Sequence, residues 1–177
     1  YLTVENENYA HPALPKGAEK GILKGLYRLK PASRKKPKGP QIQLFGSGSI
    51  LREVEAAAKI LLEDFGVTAT VWSATSYNEL RRDGLATDRW NLLHPEEKPR
   101  EPYVTQVLKN AGGPVLAASD YMKVVADQIR PWVPQSYTVL GTDGYGRSDT
   151  RRRLRDFFEV DSRWITVAAL KTLADEG

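Results

Sequence analysis

Residues 41–73 read QIQLFGSGSILREVEAAAKILLEDFGVTATVWS. The first six have strand character and run into the turn Gly46-Ser47-Gly48-Ser49. From Ile50 the apolar residues return at helical spacing, with Ile50, Val54, Ala57, Ala58 and Leu61 on one face. Ser49 stands where an N-cap can accept the first free N–H groups, and Gly66 stands where a left-handed residue ends a helix. VTATVWS at 67–73 is β-branched and apolar, a second strand. Strand, helix and strand within 33 residues have the length of a βαβ unit, whose strands lie parallel in one sheet.

The same alternation continues downstream. PVLAASD (114–120) reads as a third core strand, YMKVVADQIRPWV (121–133) as a helix ended by Pro131 and Pro134, and SYTVLGTD (136–143) as a fourth. Between the βαβ unit and the third strand, TSYNELRRDG and ATDRWNLLHP read as short helices or irregular turns, Pro95, Pro99 and Pro102 interrupt the chain, and YVTQVLKNA reads as a helix. A helix over 150–158 follows, with Ser148 or Asp149 as its cap, and a last one begins at Asp161 or Ser162. Upstream, LTVENEN and ILKGLYRL alternate as strands, separated by a Pro- and Gly-rich connector. These two strands have no helix between them, so at least one pairs antiparallel at a sheet edge. The expected architecture is a three-layer α/β/α domain around a mostly parallel sheet with one antiparallel edge strand.

Composition narrows the function classes. The chain has 177 residues, 41% of them hydrophobic, with four Trp and eight Tyr, enough to build one domain with its own core. It has no cysteine, which excludes disulfides, thiolate metal sites and a thiol nucleophile. With only His11 and His94, a multi-histidine metal site is not expected, and neither has a Ser or Asp partner at a recognisable spacing. No apolar run reaches the roughly 20 residues of a bilayer span. The chain begins at Tyr1 and not Met, and reads as a piece of a longer protein.

The net charge of +4 is local. Arg34, Lys35, Lys36 and Lys38 form one run, Arg151, Arg152, Arg153 and Arg155 another, and the rest of the chain carries −4. The first run sits among prolines as an exposed loop. In the second, Asp149, Asp156 and Glu159 lie within a turn of the arginines and can pair with them. Nucleic acid is therefore not an expected partner. Glu53, Glu55, Glu63 and Asp64 read as the solvated face of the long helix, and Trp72, Trp132 and Trp164 as core.

Two Gly-rich loops remain as candidate sites for an anion or an interface. Gly46, Ser47, Gly48 and Ser49 lack both the third glycine of a dinucleotide fingerprint and the Gly-Lys-Ser/Thr of a phosphate-cradling nucleotide loop. In GTDGYGRSD, Gly144 and Gly146 permit positive φ, Asp143 can accept backbone N–H groups in the turn, Tyr145 would lie against a neighbouring surface, and Ser148 is a cap. Both loops follow strands, where open α/β sheets place ligands. No paired carboxylates and no nucleophile–base set stand out.

Taken together the motifs are more specific. QIQLFGSGSILREVEAAAKILLEDFGVTATVWSATSYNEL and GTDGYGRSDTRRRLRDFFEVD resemble the C-terminal domain of transketolases. The flanks YLTVENENYAHPALPKGAEKGILKGLYRL, LRRDGLATDRWNLLHP and VLAASDYMKVVADQIRPWVP are similar to the homodimeric bacterial pyruvate dehydrogenases. That resemblance implies a cytoplasmic thiamine diphosphate and magnesium enzyme that decarboxylates pyruvate and acetylates lipoyl groups on a dihydrolipoyl acyltransferase partner. It also implies three α/β domains per chain, with cofactor and catalytic histidines on the other two, so no catalytic, cofactor-binding or metal residue is assigned here. By the same resemblance, residues 1–9 end the preceding pyrimidine-binding domain, 10–40 form connector, edge strand and basic loop, and 41–177 form a dimerisation domain.

Overall fold

The computed structural model describes residues 8–10, 12–31 and 39–177. His11, the basic run at Arg34, Lys35, Lys36 and Lys38, and the expected N-terminal strand except Asn8 lie outside them.

The elements in order are α1 (Glu19–Leu23), β1 (Leu26–Lys30), β2 (Gln41–Gly46), α2 (Leu51–Phe65), β3 (Thr68–Ala74), α3 (Tyr77–Leu93), α4 (Tyr103–Leu108), β4 (Val115–Ala118), α5 (Lys123–Asp127), β5 (Tyr137–Leu140), α6 (Arg151–Phe157) and α7 (Ser162–Glu176). The five strands form one sheet in the order β1-β3-β2-β4-β5. β1 runs antiparallel to β3 at one edge, and the β2–β3, β2–β4 and β4–β5 pairs are parallel. The α/β architecture and its antiparallel edge are those expected from the sequence.

Each strand feeds two cores because successive side chains leave opposite faces. Ile42 and Leu44 of β2 and Leu116 and Ala118 of β4 pack with Val54, Ala57 and Leu61 of α2 and Ile165 and Ala169 of α7. Phe45, Val115 and Ala117 face the other way, onto Tyr77 and Leu80 of α3, Val104 and Leu108 of α4, and Ile129. On that face Gln43 is buried but satisfied: Trp72 Nε1 donates to its Oε1 at 2.9 Å, and its Nε2 donates to the Gly112 carbonyl at 2.8 Å. A buried amide needs such partners, since leaving one unmade costs about 1–3 kcal/mol.

Several local expectations are corrected. Residues 19–23 form the short helix α1, which takes Ile22 and Leu23 from the expected strand, and Lys24 and Gly25 turn before β1 begins at Leu26. Residues 77–93 form one helix of 17 residues: Ser76 caps it by accepting from Glu79 N, and Gly84 does not interrupt it. Gly84 lies under Trp132, whose Cε2 would come within 2.5 Å of a Cβ there, so the glycine serves packing. The helix expected over 121–133 divides into α5 and a 3-10 turn at Arg130–Trp132, because Pro131 supplies no N–H. Gly66 ends α2 at φ 66° as expected, but Ser49 does not cap it; Ser49 lies inside a 3-10 turn, Gly48–Ile50, ahead of the helix. Thr150, not Ser148 or Asp149, holds the N-cap position of α6. α7 begins at Ser162, one of the two expected starts, and Asp161 caps it, accepting from the N–H groups of Arg163 and Trp164.

Candidate functional site

The two Gly-rich loops meet. β2, β4 and β5 end side by side, and the segments after them enclose a cleft of about 440 Å³. Ser49 belongs to its first wall, Asp120 and Thr142 to its second, and Gly144, Gly146, Arg147 and Arg151 to its rim, while Ile50, Leu154, Phe158 and Val160 give it an apolar floor. The position has a topological reason. From β2 the chain moves to β3 on one side, then crosses to β4 on the other, so the connections leaving β2 and β4 diverge and open a crevice between them.

Polar contacts lock the loops together across that crevice. Ser47 Oγ donates to Ser119 Oγ at 2.8 Å, and Tyr121 N donates to the same Ser119 oxygen at 3.1 Å. Ser49 Oγ donates to Asp120 Oδ2 at 3.4 Å, and Thr142 Oγ1 donates to the Asp120 carbonyl. Asp120 Oδ1 is buried and has no hydrogen-bond partner among the described residues. Gly48, at φ 54°, brings its backbone against that carboxylate: a Cβ would lie 3.1 Å from both oxygens.

The candidate residues therefore divide by role. Gly46 and Ser47 are buried and do not line the cleft. Gly46 allows Leu51 and Val54 to pack on the strand end, and Ser47 is hydrogen-bonded inward. Ser49, Gly144 and Gly146 face the cleft, and Gly48 sits behind it against the Asp120 carboxylate. Asp143 accepts the Lys123 N–H at 2.9 Å, tying its loop to the start of α5 in place of its own turn. Tyr145 is 95% exposed at the loop tip and is not packed against a neighbouring surface among the described residues. Ser148 is exposed and caps nothing.

The arginine run is dispersed. Arg155 Nη1 donates to Glu53 Oε1 at 3.1 Å and its Nη2 donates to Tyr9 Oη at 3.0 Å. Glu53 Oε2 accepts the Ser162 N–H at 3.0 Å, so this carboxylate joins α2, α6 and α7 and is not a solvated side chain. Arg153 approaches Asp149 at 3.8 Å, but Asp156 pairs with Arg163 and with Trp164 Nε1, outside the run. Trp164 is 37% exposed and so is not the core residue its apolar neighbours suggested. Arg147 lies over the Phe157 ring at 4.4 Å from its centroid.

Asp161 shows how finely the neighbouring helix start is tuned. Burial pushes its carboxyl up, but the Trp164 N–H, the Arg163 guanidinium and the Arg163 N–H together hold it below its ordinary 3.8. His94 does not line the cleft; it is stacked on Trp90 at 4.4 Å with its Nδ1 at 2.8 Å from the Trp90 carbonyl. Among the described residues no helix is long and apolar enough to cross a membrane.

Sequence reasoning missed Asp120 and Arg147. The signal for Asp120 was its place just past a parallel strand, at the point where the connections diverge.

Known proteins resemble this chain at two levels. Residues 25–161 match the family described as "Transketolase-like TK C-terminal domain". The chain is 60% identical, over its whole length, to the pyruvate dehydrogenase E1 component of Pseudomonas aeruginosa and 55% identical to that of Cupriavidus necator, covering 20% of each. It thus spans about a fifth of the length of these relatives. The transketolase of Leishmania mexicana superposes with a TM-score of 0.58 at 18% identity, over 88% of this chain and 19% of that one, a likeness of fold.

Proposed function

The chain belongs to the transketolase-like C-terminal domain family, and from that membership we propose that it is the C-terminal domain of a thiamine diphosphate-dependent pyruvate dehydrogenase. The observation that carries the reading is identity of 60% along the full chain, cleft and helices together, to a pyruvate dehydrogenase E1 component. The whole protein would decarboxylate pyruvate and pass the acetyl group to lipoyl groups of an acyltransferase partner, feeding acetyl-CoA formation from the product of glycolysis. It would work as a cytoplasmic homodimer.

The cofactor does not suit the cleft of this chain. A magnesium-chelated diphosphate is held through one or two carboxylates with further oxygen ligands; among the described lining residues Asp120 is the one carboxylate, Ser49 already donates to its Oδ2, and arginines, which offer no metal ligand, form the rim. Cofactor and metal are assigned to the rest of the protein, and no catalytic step is given to any residue here. The role left to this domain is structural: past the strand ends, the exposed Tyr121, Met122 and Tyr145 of the loops and Val124 of α5 form contacts to another domain or subunit.

The test is a chimera in which this chain replaces the C-terminal fifth of the Pseudomonas aeruginosa enzyme. Pyruvate-dependent acetyl transfer near the parent's rate is expected. A chimera that folds and binds cofactor as the parent does, yet forms no dimer and turns nothing over, would refute the assignment.

One observation favours a second, compatible reading. Two loops from separate parts of the chain converge on a crevice lined by Arg147 and Arg151, and this supports a regulatory cleft for a small anion.

A further inference from the structure

Resting on that small-anion reading, we propose that the cleft takes a phosphate monoester of a small hydroxyl- or amine-bearing molecule, with Arg147 on the phosphate and Asp120 on the hydroxyl or ammonium. Two complementary groups carry this. Asp120 Oδ1 is buried at the crevice and has no donor among the described residues. A simple anion would leave it that way, and would be repelled by it. Arg147 lines the same cleft, and among the described residues it lies over the face of Phe157, which orients the guanidinium plane without accepting its N–H groups. A ligand that satisfies both must be an anion at one end and a donor at the other.

The rest of the lining fits such a molecule. Arg147 and Arg151 together place two positive charges on the rim, the match for a dianionic phosphate. Ser49 keeps the Asp120 carboxylate in place through Oδ2, which leaves Oδ1 for the ligand. Ile50, Leu154, Phe158 and Val160 offer the carbon chain an apolar floor. The site also lies where diverging strand connections place ligands in open α/β sheets.

Calorimetry on the 177-residue chain at fixed ionic strength separates the outcomes. Glycerol 3-phosphate and ethanolamine phosphate carry the donor; methyl phosphate carries the same phosphate without it. At least one donor-bearing ester is expected to bind about tenfold or more tighter than methyl phosphate, the worth of one charge-assisted hydrogen bond. Asp120→Asn should abolish that advantage while leaving methyl phosphate binding unchanged or tighter. Arg147→Gln should weaken every ester alike, by about tenfold. Thermal melts of both variants check that each remains folded. Equal affinity for all three esters, untouched by Asp120→Asn, overturns the donor assignment while the small-anion cleft stands. No binding of any ester at about 10 mM overturns both.

Discussion

Glu53 and Arg155, 102 residues apart in the chain, form an ion pair at 3.1 Å with only 21% and 20% of their side chains exposed. The second carboxylate oxygen holds the first N–H of α7. Glu53→Ala leaves two donors without an acceptor and should cost about 1–2 kcal/mol, since charged hydrogen bonds contribute about 1.5–3 kcal/mol and partial exposure lowers this. Glu53→Gln, which keeps one acceptor, should cost roughly half as much. Urea midpoints at constant slope measure both; an unchanged midpoint for the alanine variant would reduce the pair to a surface contact.

Gly84→Ala sets two effects against each other. Alanine favours a helix interior by about 1 kcal/mol over glycine. Its Cβ, however, would fall within 2.5 Å of Trp132 Cε2, and overpacking a rigid ring costs about 1–3 kcal/mol. The Trp132 indole is further held by its Nε1 bond to Asp88 at 2.8 Å, so it cannot yield freely. Net destabilisation with a changed tryptophan emission is expected; a more stable variant would mean that Trp132 moves without loss.

Two left-handed glycines should respond very differently to alanine. Gly66, at φ 66°, has open space around its Cα, so Gly66→Ala carries only the conformational cost of about 1–2 kcal/mol. Gly113, at φ 76°, would drive a Cβ to 1.7 Å from the Gln41 carbonyl oxygen, where β2 and the start of β4 meet. Gly113→Ala should cost several kcal/mol more or prevent folding. Equal melting shifts for the two would contradict the packing described.

Asp161 gives the fold an acid-sensitive contact. Its folded carboxyl lies below its ordinary 3.8, so the ionised form is favoured by folding. That stability is present in full above the unfolded value and is lost as pH falls through the folded one. Asp161→Asn should therefore destabilise at pH 7 and narrow the stability difference from wild type as pH drops below about 4. Denaturant titrations at pH 7 and pH 3 test it; a gap of equal size at both would refute the role given to the charge.

The fold was legible where one signal repeated. Alternation in β2, the apolar face of α2 and the stop at Gly66 are local, and each survives in the structure. Errors arose where a distant residue decided. Gly84 reads as a break until Trp132, 48 residues later, is known to cover it. Ser49 reads as a cap until Asp120, 71 residues away, takes its hydroxyl. Glu53 reads as solvated until Arg155 arrives. The site was half legible for the same reason: glycines announce loops, but nothing local announces that two loops share one crevice, or that an aspartate ends between them.

Leu44 and Phe45 are adjacent in the chain yet belong to different cores. Among the described residues the sheet is thus a partition between two separate buried clusters. A change of shape among α3, α4 and their partners need not reach α2 and α7, so the outer layers can be retiled separately over evolutionary time. One side could adapt to a new neighbouring subunit while the wall behind the cleft kept its form.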